Sequence, residues 1–347
     1  MSDRSFYEQL RGILERESVV IATIVKVLGS APREVGAKMA ICQDSSIIGT
    51  IGGGAGEGKV IKEALKIFET EEKQLVEIDL TGTPGKDIQG VCGGKVRVWL
   101  EKWSGESAIA LVDEILQILE TGQTAKLITP FAWDTEPYLI SPTASSTLPV
   151  SLSPNLHVTS NQFSQTIQPS PILLIIGGGH VAVSLAKIAS FAGFQIAIQD
   201  DRPEFVTPQR FPQAAFLSAS IDEILNAFAL HSQLYVALVT RGYPQDIEAL
   251  KALLQYPIAY QYLGAIGSQK RITMILQALT KQGIPSERLQ NFYAPIGLDI
   301  GALTPEEIAV SICGELIKVR RGGTGLSLCD RIQDSKRSRV HLSHLGV

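Results

Sequence analysis

Hydrophobic positions along this chain follow two periods, and glycines mark the changes between them. Ile172 to Ile176 is a continuous apolar run, the pattern of a strand buried on both faces. Gly177, Gly178 and Gly179 follow, and then Val181, Leu185, Ile188 and Ala189 recur at helical spacing as far as Gly193. Phe194 to Ile198 is a second apolar run, ending on Asp200 and Asp201. The pattern predicts strand, glycine turn, helix and strand: a right-handed βαβ unit with G-x-G-x-x-A at Gly177, Gly179 and Ala182. Such a turn lets backbone approach a phosphate, and the helix N-terminus offers free N–H groups and a positive dipole end. An acid about 20 residues on can accept hydrogen bonds from ribose hydroxyls.

The pattern before this unit is mixed. Residues 3–16 predict a helix with Phe6, Leu10, Ile13 and Leu14 on one face, and Ser18 to Leu28 predicts a strand. Ala37 to Gln43 and Ile47 to Ile51 predict a hairpin turning at Asp44, Ser45 and Ser46. Gly52, Gly53 and Gly54 then lead into a helix from about Ala55 to Phe68. Strands are expected at Leu75 to Leu80, Lys95 to Lys102 and Ala125 to Thr129, with a helix over Ser107 to Leu119 and a glycine-rich loop over Thr81 to Gly94.

After the βαβ unit, strands are expected at Leu234 to Thr240 and Tyr260 to Ile266. The first ends at Arg241, before a helix containing Asp246. The second ends at Gly267, Ser268, Gln269, Lys270 and Arg271. Thr304 with Glu307 reads as a capping box, with Pro305 at the first position of a helix to about Arg320. The fold class is therefore α/β: an N-terminal mixed α/β domain over 1–140, a connection over 141–170, a C-terminal Rossmann-like doubly wound parallel sheet over 171–330, and a mobile tail over 331–347. The connection holds no charged residue and many Ser, Thr and Pro, with short extended pieces expected at Leu156 to Val158 and Phe163 to Ile167.

Composition narrows the function. A length of 347 residues fits two domains at ~150 residues each. The net charge is −4, and the N-terminal half is acidic, which argues against nucleic acid as a partner. The polar N-terminus does not read as a signal peptide, and no apolar run is long enough to span a bilayer, so a cytoplasmic location without membrane contact is expected. Four cysteines, Cys42, Cys92, Cys313 and Cys329, lie far apart without C-x-x-C pairs, which suits free thiols in a reducing compartment.

Ligands of open parallel sheets sit beyond the carboxyl ends of the strands. The candidate binding residues there are Gly177, Gly179, His180, Asp200, Asp201, Arg241, Asp246, Gly267, Ser268, Lys270 and Arg271. Each also has a plainer reading as a turn, cap or surface residue. In the N-terminal half, Gly52, Gly53 and Gly54 form a second glycine turn at a helix N-terminus, and Arg33 offers donors to an oxyanion. Cys92 and Gly93 stand in the glycine-rich loop, where an accessible thiol with a lowered pKa is expected. Cys42 and Cys313 fall in core patterns.

At these residues the chain resembles the XdhC/CoxI family of xanthine dehydrogenase accessory proteins. The resemblance covers most of the chain through GSAPREVGAKM (Gly29 to Met39), GTIGGG (Gly49 to Gly54), CGGKVRVWLE (Cys92 to Glu101), LLIIGGGHVA, DDRPEF (Asp200 to Phe205), VTRGYPQD (Val239 to Asp246), YLGAIGSQKR (Tyr262 to Arg271) and APIGLDIGALTPEEIAVSI (Ala294 to Ile312). It implies an accessory protein rather than an enzyme of metabolite turnover. Such a protein binds molybdenum cofactor (molybdopterin), supports its sulfuration and delivers it to a xanthine dehydrogenase-type molybdoenzyme. Cys92 is then the soft ligand expected near the metal, a cysteine desulfurase is an expected partner, and a homodimer is expected. The chain departs from the family at Ala55, where many members carry Cys directly after the glycine run, so that position supplies no thiol. The rival reading is an NAD(P)-dependent oxidoreductase. A third is a module binding another nucleotide. Against the oxidoreductase, the sequence shows no Tyr-x-x-x-Lys pair or His–Asp relay beside the glycine loop.

Overall fold

The structure is a computed structural model that describes residues 3–80, 93–140, 156–256, 258–289 and 292–330; the side chains of residues 156, 157, 286 and 287 are not described. Contacts divide the chain into two compact units. One runs to Pro169 and takes in Leu230–Ser232. The other begins at Ser170.

The first unit opens with α1 (Asp3–Leu14), β1 (Val19–Leu28), β2 (Lys38–Ile41), β3 (Ile47–Gly49), α2 (Gly54–Thr70), β4 (Gln74–Asp79) and β5 (Lys95–Trp103). It continues with α3 (Gly105–Glu120), β6 (Ala125–Pro130), β7 (Tyr138–Ile140), β8 (Leu156–Val158) and β9 (Gln162–Ile167). Its five-stranded sheet has the order β3-β2-β1-β5-β4, with every pair antiparallel. β1 is apolar almost throughout because both its faces are covered. Val19 and Ile21 pack with α1 and α3, while Val20, Ala22 and Ile24 pack with Val60, Ala64 and Ile67 of α2. The β2–β3 hairpin turns where expected, with the Ser46 N–H donating to Asp44 Oδ1 at 2.8 Å. A second sheet has the order β7-β6-β9-β8. Its β9 lies inside the stretch that reads as a connection. Its polar residues are held by pairing from Ala125↔Ile167 to Pro130↔Gln162, with Phe163 and Ile167 buried.

The second unit contains β10 (Ile172–Ile176), α4 (His180–Phe191), β11 (Gln195–Gln199), β12 (Ala214–Ser218), α5 (Ile221–Ala227) and β13 (Leu234–Leu238). Then come α6 (Tyr243–Gln255), β14 (Tyr262–Ala265), α7 (Gln269–Lys281), β15 (Phe292–Tyr293) and α8 (Pro305–Arg321). Its six strands are all parallel, in the order β12-β11-β10-β13-β14-β15. β10 has β11 on one side and β13 on the other, so the strand order reverses at β10, the point at which doubly wound sheets form a crevice. Ile172, Leu174 and Ile176 of β10 face a core shared with α5, α6 and α7, while Leu173 and Ile175 face a core shared with α4 and α8. All five are buried, and truncating any of them to Ala would cost about 2–5 kcal/mol. α8 starts at the expected capping box of Thr304 and Glu307. Among the described residues no helix is long and apolar enough to cross a membrane.

Candidate functional site

The carboxyl ends of β10, β11, β13 and β14 meet at one edge of the parallel sheet, and the residues there are tied by direct contacts. The three glycines after β10 have different reasons to be glycine. A Cβ on Gly177 would lie 2.6 Å from the Val239 carbonyl oxygen, and one on Gly178 would lie 2.9 Å from Phe205. Both are therefore required by close packing. Gly179 is the N-cap of α4, has an ordinary φ of −74°, and would place a Cβ in open space. Nothing in the unit requires glycine there. The open space lies at a helix N-terminus, where N–H groups and the dipole favour an anion. His180 is exposed in the first turn of α4.

The acids after β11 differ sharply. Asp200 is buried. Its Oδ2 accepts the Gly178 N–H at 2.6 Å, and Arg202 grips it at both oxygens, Nε to Oδ1 at 2.8 Å and Nη2 to Oδ2 at 2.9 Å. Burial opposes its charged form, but Arg202 and the backbone N–H groups outweigh burial and hold the carboxyl well below the usual carboxylate range. Asp201 is exposed and forms a two-point pair with Arg241 at 2.6 and 2.7 Å. A pair this exposed contributes about 0–1 kcal/mol, so an anionic ligand can take Arg241 from it at small cost.

Asp246, in the first turn of α6, is fully buried. Thr240 Oγ1 donates to its Oδ1 at 2.6 Å, and Arg271 Nε donates to its Oδ2 at 2.6 Å. Arg271 Nη2 also reaches Thr240 Oγ1 at 3.0 Å, which locks the end of β13 to the start of α7. Burial pushes the Asp246 carboxyl up, against the pull of Thr240 and Arg271. Ser268 caps α7 by accepting the Arg271 N–H, Gly267 packs under the Arg271 side chain, and Lys270 is exposed.

The edge thus holds two kinds of residue. Gly177, Gly178, Asp200, Asp246 and Arg271 are engaged by the protein itself. Gly179, His180, Asp201, Arg241, Ser268 and Lys270 present accessible backbone, hydroxyl and charge. Sequence reasoning missed three members of the edge. Arg202 holds Asp200. Phe205 has the Arg202 guanidinium 3.6 Å from its ring centroid and the Arg210 guanidinium at 4.8 Å. Arg210 donates to the Gly178 carbonyl at 2.7 Å. Arg202 follows the two acids directly, which is a usable signal. Arg210 carries none, because only the chain path after β11 returns it to the glycine turn.

In the first unit, the candidate loops also come together. Gly52 packs on Pro32, next to the exposed Arg33, with a Cβ position 3.2 Å from Pro32 Cβ. Ser30 pairs with Gly93 in an isolated bridge. Gly52, Gly53 and Gly54 all have positive φ. Their donors are partly taken: Glu57 Oε2 accepts from Thr50 Oγ1 at 2.7 Å, the Gly53 N–H at 3.1 Å and the Ile51 N–H at 3.2 Å. An incoming phosphate would meet this carboxylate, so the turn is a weaker anion site than the N-terminus of α4. Ala55 lies in the first turn of α2. Cys92 lies outside the described residues. Of the described cysteines, Cys42 and Cys313 are buried and Cys329 is exposed. Among the described residues no group of three or more His, Cys, Asp or Glu side chains could hold a metal ion. Two clefts of the first unit, 630 Å³ beside Trp103 and Trp133 and 810 Å³ beside Trp99 and Phe131, contain none of the candidate residues.

Comparison with known proteins places both units. Residues 173–316 match the XdhC Rossmann domain, and residues 13–79 match the XdhC and CoxI family. The chain is 28% identical over 336 residues to a probable xanthine dehydrogenase subunit of Bacillus subtilis (strain 168), a match covering 91% of this chain and 98% of that one. It is 25% identical over 312 residues to the molybdenum cofactor insertion chaperone PaoD of Escherichia coli (strain K12), covering 90% and 86%. A 27% identical match to YqeB of the same organism covers 88% of this chain but only 44% of that longer protein. The crystal structure of a xanthine dehydrogenase from Bacillus halodurans is similar at a TM-score of 0.69 and 25% identity, over 94% of this chain and 98% of that one. The chain thus matches the XdhC and CoxI family in its first unit and the XdhC Rossmann domain in its second, with relatives aligned across both.

Proposed function

We propose that this chain is a cytoplasmic maturation factor that binds molybdenum cofactor, supports its sulfuration and delivers it to a xanthine dehydrogenase-type molybdenum hydroxylase. The observation that carries the reading is the match to the insertion chaperone PaoD, which runs through most of both chains. The parallel-sheet edge fits a phosphate-bearing cargo. The open N-cap at Gly179 takes the phosphate, and Arg241 and Lys270 supply positive charge at the same edge of the sheet. In this reading Cys92 is a soft sulfur ligand, and a cysteine desulfurase is the source of the installed sulfur. The protein turns over no metabolite in this reading.

An NAD(P)-dependent oxidoreductase is the weaker reading. It needs an acid after the second strand for ribose hydroxyls, yet both oxygens of Asp200 are held by Gly178 and Arg202 and both oxygens of Asp201 are paired with Arg241.

The test is direct. Protein purified from its native host is denatured and oxidised, and the released pterin is read by fluorescence. The preparation is then mixed with cofactor-free target hydroxylase. Pterin release together with activation of the hydroxylase is expected. Release of a nicotinamide dinucleotide without pterin would overturn the reading.

A further inference from the structure

β1 carries a bulge, and the bulge sets the face on which Lys26 lies. Val20, Ala22 and Ile24 face the core shared with α2, so unbroken alternation would put Lys26 on that face too. The pairing with β5 shifts between Ile24↔Val98 and Lys26↔Arg97, which leaves Val25 as the extra residue. Lys26 thereby moves to the other face of the sheet, across from Arg97 and on the same side as Trp99, two residues further along β5. Leu75 of β4 pairs with Trp99 and shares this face.

This face floors the 810 Å³ cleft of the first unit. Val25 and Trp99 are buried there in a small apolar cluster with Phe163, and Val35 and Phe131 pack against it. The Trp99 and Phe131 rings are tilted, with centroids 4.7 Å apart. Leu75 and Val158 also line the cleft and are 49% and 45% exposed. A cleft of this volume, largely apolar with few polar groups, has the size and character of a small-molecule site.

Its charge is one-sided. Among the described residues, Lys26 and Arg97 line it and no acidic side chain does. Like charges directly opposite each other weaken a strand pair. Arg97 is offset by Glu77 of β4, which its Nε meets at 3.0 Å. The exposed Lys26 side chain has no hydrogen bond or ion pair among the described residues. An uncharged occupant would leave the repulsion of Lys26 in place, whereas an anion beside Lys26 offsets it. The cleft therefore fits a molecule with an apolar body and one anionic group.

We propose that this cleft binds a small amphipathic anion, with its apolar body on Val25, Trp99 and Phe131 and its acidic group against Lys26. None of the residues assigned to molybdenum cofactor takes part, so the proposal is independent of the cargo.

The probe is 8-anilinonaphthalene-1-sulfonate, titrated into the full chain and followed by its fluorescence, with circular dichroism to verify that each variant is folded. One saturable site is expected. Lys26→Gln and Val158→Asp, both at exposed positions, are each expected to raise the dissociation constant about fivefold or more. N-phenyl-1-naphthylamine, which lacks the sulfonate, should bind the wild type more weakly by a similar factor and should not sense Lys26→Gln. Gly179→Val should leave sulfonate binding unchanged. Absence of saturable binding to the folded wild type overturns the proposal. Binding that ignores Lys26→Gln or Val158→Asp, or that is lost in Gly179→Val, overturns it too, because the probe then sits elsewhere. A preference for the uncharged naphthylamine overturns it as well.

Discussion

The buried carboxylate of Asp200 accepts the backbone N–H of Gly178 across 2.6 Å, joining the end of β11 to the glycine turn after β10. Asp200 thereby serves as part of the turn's scaffold.

A pH dependence follows from that bond. Because the Asp200 carboxyl titrates below its usual range in the folded protein, the unfolded chain takes up its proton first as pH falls below ~3.9. The stabilisation is complete above that value and is lost as pH drops further through the folded pKa. Asp200→Asn is expected to cost about 1–3 kcal/mol near neutral pH and to flatten the acid limb of stability. Urea unfolding of both proteins across the acid range measures this. Parallel limbs would show that Asp200 contributes no such linkage.

Adjacent glycines should behave oppositely. Gly178→Ala forces a Cβ to within 2.9 Å of Phe205 side chain and backbone and is expected to cost about 1–3 kcal/mol. Gly179→Val meets open space at an ordinary φ, so it should cost no more than about 1 kcal/mol at an N-cap while obstructing the cargo phosphate. Thermal unfolding separates the two in stability, and calorimetry with molybdenum cofactor reads the affinity. Unchanged affinity in folded Gly179→Val would remove the N-terminus of α4 as the binding point.

Removing Arg271 strands a fully buried carboxylate at Asp246. Arg271→Met is expected to destabilise the protein by about 3–5 kcal/mol. Adding Asp246→Asn should recover much of that loss, because the uncompensated charge disappears. Denaturant midpoints of the single and double variants check this coupling.

Thiol labelling distinguishes the cysteines. Exposed Cys329 is expected to react rapidly in the folded protein. Buried Cys42 and Cys313, whose thiols burial pushes up, should react only on unfolding. Cys92, in the role proposed for it, should react quickly and be protected by bound cofactor. Cys92→Ser should stay folded and carry less cofactor. A full load in that variant would remove Cys92 as a sulfur ligand.

Local patterns are legible where burial is uniform along an element. β1, β10, β13 and the helices α2, α4 and α8 fall at or near the positions that periodicity predicts. β12 and α5 escaped because they are short, five and seven residues, and β12 is an edge strand buried only in part. β9 was legible only as a short extended piece at Phe163 to Ile167 inside a connection, because its place in a sheet is fixed by pairing with β6, and pairing leaves no trace in the local pattern.

The βαβ unit around β10, its glycine turn and the residues directly after β10, β11, β13 and β14 follow from the amino-acid order alone, because these depend on neighbours within a few positions. Which of those residues the protein keeps for itself is settled only in the folded chain. Asp200 and Asp201 are adjacent and chemically identical, yet one is buried against Gly178 and Arg202 while the other faces solvent with Arg241. Alternate residues at a strand end point to opposite sides. Whether a side chain then meets backbone or solvent depends on segments far along the chain. For Asp246 that segment is α7, and for the glycine turn it is the loop that carries Phe205 and Arg210.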